Sequence, residues 1–280
     1  GMRNPWDIAF DDGFNWVGTD NDQTQGDKII MPFYGAHFGW GHKYSSHWTG
    51  EGHLPTAPMS GPLFSGSGAG IVYHAHPSFP PAYRDVFFIN DWMFGTYIYR
   101  PAWKGALRHG SLEPFMQRAA DGILYRPTDI EFGADGSLFT LGWGGNYDYE
   151  PGMEGSWIFR VTYEDAKIRR AEVRTDFDRM NVNELIQELG PEALPARRVN
   201  AQDELVRRGP KVCRKLIEAI VEQPLSTGQQ TWAAWALARL QDERMSGVFR
   251  SWADSENRFP LNLRIQAIRI LATQKSIDLS

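Results

Sequence analysis

The first residues whose types point to chemistry are Arg3 and Asn4, which stand just before Pro5 and an alternating apolar run, Trp6–Phe10. A guanidinium at the end of a strand can hold a carboxylate through two parallel N–H···O bonds. The same residues also suit a structural role, in which Arg3 pairs with an acidic side chain and Asn4 caps the turn before the proline. The sequence leaves both roles open.

A short acidic segment, Asp20-Asn21-Asp22, places three oxygen-bearing side chains within one tight loop. Calcium takes about six to eight oxygen ligands, so this segment is a candidate calcium site. Asp and Asn also satisfy the backbone of tight turns without any metal, which is the alternative interpretation.

Histidines are concentrated in two places. One loop carries four of them at spacings of five or six residues: His37, His42, His47 and His53. His74 and His76 are two residues apart in a strand pattern, which directs both side chains to one face. Imidazole nitrogens bind transition metals, so His74 and His76 are candidate metal ligands. No Cys or carboxylate completes a familiar metal spacing, and the alternative is that these rings serve only as small amphipathic packing groups.

The elements that must position these residues are of two kinds. Residues 1–165 are rich in Gly, Pro and aromatic side chains, and short strand-like runs alternate with turn residues, as in an all-β fold. An alternating run followed by an Asp-Gly turn occurs twice, at Pro5–Phe10 and at Pro127–Phe132. We therefore predict a partial β-propeller of three four-stranded blades of a six-bladed type, at about 3–45, 68–118 and 124–163.

Three blades do not close a ring, and closure removes exposed strand edges. We expect either that further blades precede the first residue in a longer parent protein, or that two copies pair as a homodimer with three blades from each.

Residues 166–180 are predicted to form a linker, and residues 181–280 to form an all-α segment. Six stretches there have helical apolar spacing. Ala201, Ala234 and Ala267 recur at intervals of 33 residues, and small side chains at such positions let paired helices approach closely. The pattern is typical of a HEAT-like solenoid, whose usual role is to dock another protein.

Composition excludes several classes of protein. The chain has 29 basic and 34 acidic residues, a net charge of −5 and no basic stripe, so we expect no nucleic-acid partner. Cys213 is its single cysteine, which excludes an internal disulfide and a CxxCH haem attachment site. There is no apolar run of about 18 residues to cross a membrane, and no signal peptide.

A series of short motifs follows one order along nearly the whole chain: Arg3-Asn4-Pro5, Asp20-Asn21-Asp22, Gly39-Trp40, Phe79-Pro80, Phe88–Trp92, Arg126–Asp129 and Phe159–Tyr163. In this order they resemble the second half of the soluble PQQ-dependent glucose/sorbosone dehydrogenases, which are six-bladed propellers. The pattern is most similar to their membrane-bound-dehydrogenase subfamily of planctomycete type, in which the propeller is joined to HEAT-like helices.

The resemblance implies that Arg3, Asn4 and Arg126 bind the quinone cofactor PQQ, and that the Asp20–Gln23 loop holds the calcium ion that activates it. The histidine that serves the family as catalytic base lies in an earlier blade, which this chain does not contain.

Three departures from the family pattern accompany the resemblance. Thr128 replaces the second cofactor arginine, and Met93 or Phe94 stands where a lysine is expected. The calcium loop lacks the family's Gly-Pro.

We therefore expect a fragment or degenerate homologue of a PQQ- and calcium-dependent aldose dehydrogenase, inactive in isolation and derived from an extracytoplasmic parent protein. The alternative is a non-catalytic scaffold, in which the propeller binds a glycan or protein and the helices dock a partner.

Overall fold

The computed structural model describes residues 1–21, 26–33, 35–40, 57–62, 66–74, 79–105, 107–117, 125–133, 135–144, 156–164, 176–242, 244–254 and 258–274. The chain divides into two compact units. The first contains residues 1–11 and 15–170, and the second contains residues 12–14 and 171–280. Much of the predicted 166–180 linker lies outside the described residues.

The first unit contains three antiparallel sheets, each a meander in which strands adjacent in the chain pair with each other. The first sheet consists of β1 (Pro5–Phe10), β2 (Trp16–Asp20) and β3 (Lys28–Ile30). The middle sheet consists of β4 (Gly68–His74), β5 (Val86–Asp91), β6 (Gly95–Lys104) and β7 (Leu107–Gln117). The third sheet consists of β8 (Pro127–Phe132), β9 (Leu138–Gly142) and β10 (Trp157–Val161). Four strands per blade were predicted; the middle sheet has four, and the described parts of the other two have three.

The middle sheet is packed on both faces. All six residues of β5 are buried, and alternate side chains of a strand point to opposite faces. Phe87 and Ile89 pack in one apolar cluster with Val17 and Ile29 of the first sheet. Phe88, on the other face, packs with a separate cluster that includes Ile130 and Leu138 of the third sheet. The result is a propeller-like stack of three sheets, as the alternation in the sequence predicted.

The first strands of the three sheets lie side by side. Ile71 of β4 donates its backbone N–H to Asp7 Oδ2 of β1 at 3.0 Å. On its other side, Gly70 of β4 lies so close to β8 that a Cβ would be 2.8 Å from the Asp129 Cα. This order, β1–β4–β8, is that of the inner strands of neighbouring blades.

These inner strands begin at the same end of the stack, which we call the upper end. Thr19, near the end of β2 and beside the start of β1, donates its hydroxyl to the Ala69 carbonyl at the start of β4. The rings of His74 and Phe132, at the far ends of β4 and β8, are 4.3 Å apart. The upper end therefore gathers the residues that precede β1, β4 and β8.

The second unit contains six helices in its described residues: α1 (Val182–Glu188), α2 (Pro195–Arg207), α3 (Cys213–Glu222), α4 (Thr227–Arg239), α5 (Met245–Asp254) and α6 (Leu261–Thr273). A 3-10 turn, Gly209–Val212, precedes α3. The three alanines of the 33-residue interval, Ala201, Ala234 and Ala267, are fully buried in the core of this unit. The HEAT-like repeat itself stays a prediction.

By residue type the sequence predicts Thr227 and Asn262 as helix caps, and both predictions are wrong by one or two residues. Ser226, not Thr227, caps α4, because its side chain accepts the Gln229 N–H while the Gln229 side chain accepts the Ser226 N–H. Asn262 does not cap α6, whose N-cap is Pro260. Its amide donates instead to the Thr231 hydroxyl at 2.9 Å.

None of the helices in the described ranges combines the length and apolarity needed to cross a bilayer. Cys213 is buried, and burial raises the pKa of its thiol.

Candidate functional site

The upper end of the first unit brings together most of the described residues that the sequence singled out. Antiparallel pairing sets the starts of β1, β4 and β8 beside the ends of β2, β5 and β9, through the pairs Pro5–Asp20, Gly68–Asp91 and Pro127–Gly142. The candidate side chains at this end are Arg3, Asn4, Asp20, Asn21, Asp91, Trp92, Arg126 and Trp143. The predicted candidate Asp22 lies outside the described residues.

Arg3 and Asn4 are held by their backbones. Both N–H groups donate to Asp20 Oδ1 at 2.9 Å, so the carboxylate pins the chain just before β1. The Arg3 guanidinium lies 5.4 Å from the Trp40 ring centroid, and its Nη1 donates a long bond of 3.4 Å to the Asn21 carbonyl. The Asp20 carboxylate therefore binds the main-chain amides of this segment, while the Arg3 side chain lies over the Trp40 ring.

The described part of the predicted calcium loop is Asp20 and Asn21, and the calcium site itself stays a prediction. Asp20 is fully buried, and its Oδ1 already accepts two amide protons. Directly opposite it on β3 is Lys28, also buried, whose ammonium donates to the Phe38 carbonyl at 2.9 Å. Cross-strand partners share a face, so the Lys28 side chain lies on the same face of the sheet as Asp20.

No group of three or more His, Cys, Asp or Glu side chains in the described part of the chain is arranged to hold a metal. His74, one of the two predicted transition-metal ligands, is buried at the end opposite the upper end. Its Nδ1 donates to the Tyr83 carbonyl at 2.9 Å, and its ring packs against Phe79 and Phe132. These contacts give His74 a packing role. His76 lies outside the described residues, so the pair stays a prediction.

Arg126 is the centre of a cluster that sequence reasoning did not assemble. Its guanidinium carbon is 4.4 Å from the centroid of the Trp92 ring, the geometry of a cation–π contact. The Trp92 and Trp143 rings are 5.4 Å apart and inclined by 49°. Trp143 also donates its backbone N–H to the Arg126 carbonyl at 2.8 Å, which fixes the start of β8. We call Arg126, Trp92 and Trp143 the arginine–tryptophan cluster.

Asp91 organises the turn that carries Trp92. Its Oδ1 accepts backbone N–H groups from Met93 at 2.8 Å, Phe94 at 3.1 Å and Ser67 at 3.3 Å. Gly66 lies against the carboxylate so closely that a Cβ would be 1.6 Å from Oδ1, so this position requires glycine. Burial raises the pKa of Asp91, although the amide bonds oppose that shift. The only sequence signal for this role was an Asp at the start of a turn.

A groove of about 510 Å³ on the third sheet begins beside Trp143. Its described lining residues are Thr128, Leu141, Gly142, Trp143, Ser156, Trp157 and Ile158. Two indole rings and two hydroxyls in an apolar groove suit a planar ring or the C–H face of a sugar. Thr128, which stands where the family pattern has its second arginine, lies in this groove and donates to the Leu141 carbonyl at 3.5 Å.

No family model and no curated protein matches the chain. Solved structures do show partial similarity. The soluble aldose sugar dehydrogenase of Escherichia coli, in its apo-form, is 21% identical over 51% of this chain and 42% of its own, with a TM-score of 0.39. The PQQ-bound aldose sugar dehydrogenase of Streptomyces coelicolor is 18% identical over 57% and 43%, with a TM-score of 0.38. A glucose dehydrogenase is 20% identical over 58% and 45%, with a TM-score of 0.40. The chain spans less than half the length of each.

Proposed function

We propose that the first unit is part of a PQQ-dependent aldose dehydrogenase-type propeller, and that its upper end binds the quinone cofactor through the arginine–tryptophan cluster. The observation that carries this proposal is the position of the Arg126 guanidinium, stacked on Trp92 at the start of an inner strand. A guanidinium stacked by its flat face keeps its N–H groups in the plane of the stack, where they suit a carboxylate. PQQ is a flat ring system with three carboxylates, so one site can use both contacts.

Each residue at the upper end has its own role in binding the cofactor. Arg126 holds a carboxylate of the cofactor, and the indoles of Trp92 and Trp143 offer flat apolar surfaces to its rings. Arg3 and Asn4 supply a second cation and an amide at the same end of the stack. When bound, PQQ supplies the redox chemistry, as the acceptor of a hydride from the sugar.

Two features of the described residues bear on whether the isolated chain can oxidise a sugar. A general base must lie within hydrogen-bond reach of the proton it removes. The buried histidine of the described strands, His74, lies at the opposite end of the stack, and four other histidines (His42, His47, His53 and His76) lie outside the described residues. The Asp20 carboxylate, opposite buried Lys28, also already accepts two backbone N–H groups at Oδ1. We therefore propose that this chain binds PQQ without calcium and does not turn over aldoses.

The test is a titration of the full chain with PQQ, followed by calorimetry and by quenching of tryptophan fluorescence, in EDTA and again in millimolar calcium. We expect binding in both buffers. Arg126→Met removes a charge-assisted bond of about 1.5–3 kcal/mol, so the PQQ dissociation constant should rise about tenfold or more. Arg100→Met is the matched control, because Arg100 pairs with Glu113 on β6 and β7. Absence of binding in either buffer, or an equal loss in both variants, would refute the proposal.

The second candidate is a non-catalytic glycan-binding scaffold, and the groove with Trp143, Trp157, Thr128 and Ser156 favours it. In this candidate function, Thr128 in place of the second arginine of the family pattern is part of the adaptation to glycan binding. A chain that fails to bind PQQ but binds cellohexaose or maltohexaose, and loses this binding in Trp157→Ala, would belong to this class. A periplasmic or cell-envelope location of the parent protein is consistent with either candidate.

A further inference from the structure

The second unit contains a basic cleft that the proposed function does not use. It has a volume of about 490 Å³ and lies where α2 ends and α3 begins. Its described lining residues are Asp178, Met180, Val182, Glu204, Arg207, Arg208, Lys211, Val212 and Lys215. Three of these are apolar, four are cations and two are carboxylates.

Glu204 fixes two of the cations. Its carboxylate is almost completely buried and accepts Arg207 Nε at 2.6 Å and Arg208 Nε at 2.7 Å. Arg207 and then Arg208 hold the pKa of Glu204 below its usual range, so the carboxylate is ionised at neutral pH. Arg208 is tied down further by bonds from Nη2 to the carbonyls of Phe177 and Asp178. The two guanidiniums are therefore held in place before any ligand arrives.

Donors remain at the rim of the cleft. Among the described residues, no hydrogen-bond acceptor meets Nη1 of Arg207, Nη1 of Arg208, or the ammonium groups of Lys211 and Lys215. Lys211 and Lys215 are exposed and four residues apart, so they lie on one side of the chain as it enters α3. Four cations against Asp178 and Glu204 leave the cleft with a charge of +2, in a chain whose net charge is −5.

We propose that this cleft docks an acidic peptide segment of a partner protein. Carboxylates of the segment pair with Lys211, Lys215 and the outer edges of the two guanidiniums. One apolar side chain of the segment packs on Val182, the partly exposed member of an apolar floor that buried Met180 and Val212 complete. An apolar floor and cations contributed from two helices suit an extended segment better than a compact inorganic anion, which needs neither.

The test uses the full chain and a fluorescein-labelled six-residue peptide in which five glutamates surround one leucine. Fluorescence polarisation at low ionic strength should show saturable binding that weakens as salt is added. The same peptide with glutamine for glutamate should bind about tenfold or more weakly. A peptide with alanine for leucine should also bind more weakly, because the floor is apolar.

Lys211→Gln with Lys215→Gln should weaken binding about tenfold. Arg214→Gln with Arg250→Gln is the control with the same change of net charge, since Arg214 is exposed and paired with Glu218, outside the cleft. Circular dichroism checks that both variants are folded, and Lys215→Gln alone replaces the double variant if that one unfolds. Equal weakening in both pairs, competition by millimolar phosphate, or no binding of the acidic peptide would each overturn the proposal.

Discussion

Arg108 and Asp11 form a buried ion pair, and its removal tests what stabilises the first unit. Arg108 is on β7, and Asp11 follows β1, 97 residues earlier in the chain. Their side chains are 13% and 5% exposed. Burial lowers the pKa of Arg108 to about 10, so the guanidinium is still a cation at neutral pH. Arg108→Met keeps an apolar stem of similar length and leaves the Asp11 carboxylate buried without its cation.

The expected loss of stability in Arg108→Met depends on the hydrogen bonds that the Asp11 carboxylate retains. Removing one member of a buried pair costs about 3–5 kcal/mol. Asp11 Oδ1 still accepts the Asn15 backbone N–H at 2.9 Å, which places the cost near the lower limit. The lost contact of the guanidinium with the Trp103 ring, at 5.2 Å, adds about 0.5 kcal/mol. We expect a loss of about 3.5 kcal/mol in the free energy of unfolding of the first unit.

Urea unfolding followed by tryptophan fluorescence measures this loss. Eight of the eleven tryptophans lie in residues 1–170, so fluorescence reports mainly on the first unit, while circular dichroism at 222 nm reports mainly on the helices. The fluorescence midpoint should fall with little change in slope. A double-mutant cycle with Asp11→Asn, which keeps an acceptor for Asn15, should give a coupling of about 2 kcal/mol.

The reasoning about this pair would be refuted by a loss below about 0.5 kcal/mol in Arg108→Met, which is the range of an ordinary surface change. A coupling of zero in the cycle would also refute it, because the cost would then come from the loss of packing alone.

Two further predictions concern the sheets. Burial raises the folded-state pKa of Asp91, so its contribution to stability is greatest below the unfolded pKa of about 4 and falls as pH rises through the folded pKa. Asp91→Asn keeps the turn acceptor and does not titrate, so its urea midpoint relative to the native chain should rise from pH 4 to pH 7; a constant difference would contradict this. Trp6, Ile8 and Phe10 alternate along β1, each about half exposed. If this face pairs two copies, sedimentation should show a dimer that Ile8→Glu reduces to a monomer, and a native monomer at high concentration would count against the homodimer.

The sequence by itself determined most of the elements. Alternation of apolar residues located strands such as Pro5–Phe10 and Pro127–Phe132, and helical spacing located all six described helices. Both signals are local, because a strand or helix needs only its own side chains to show which face is buried. Exact ends were less certain: Ser226 and Thr227 are both good caps, and the path of the backbone selects between them.

The tertiary structure alone decided which side chains meet. The motif order singled out Arg126, but not its contact with Trp92, 34 residues earlier in the chain. The sequence made Asp20 a candidate metal ligand, but only the strand register shows that it lies opposite Lys28. Glu204, Arg207 and Lys215 are charged residues of two different helices, and the turn at Gly209–Val212 brings them around one cleft. The charge and size of each side chain follow from its residue type. The distance between residues that are remote in the sequence is set by tertiary packing, and binding depends on that distance.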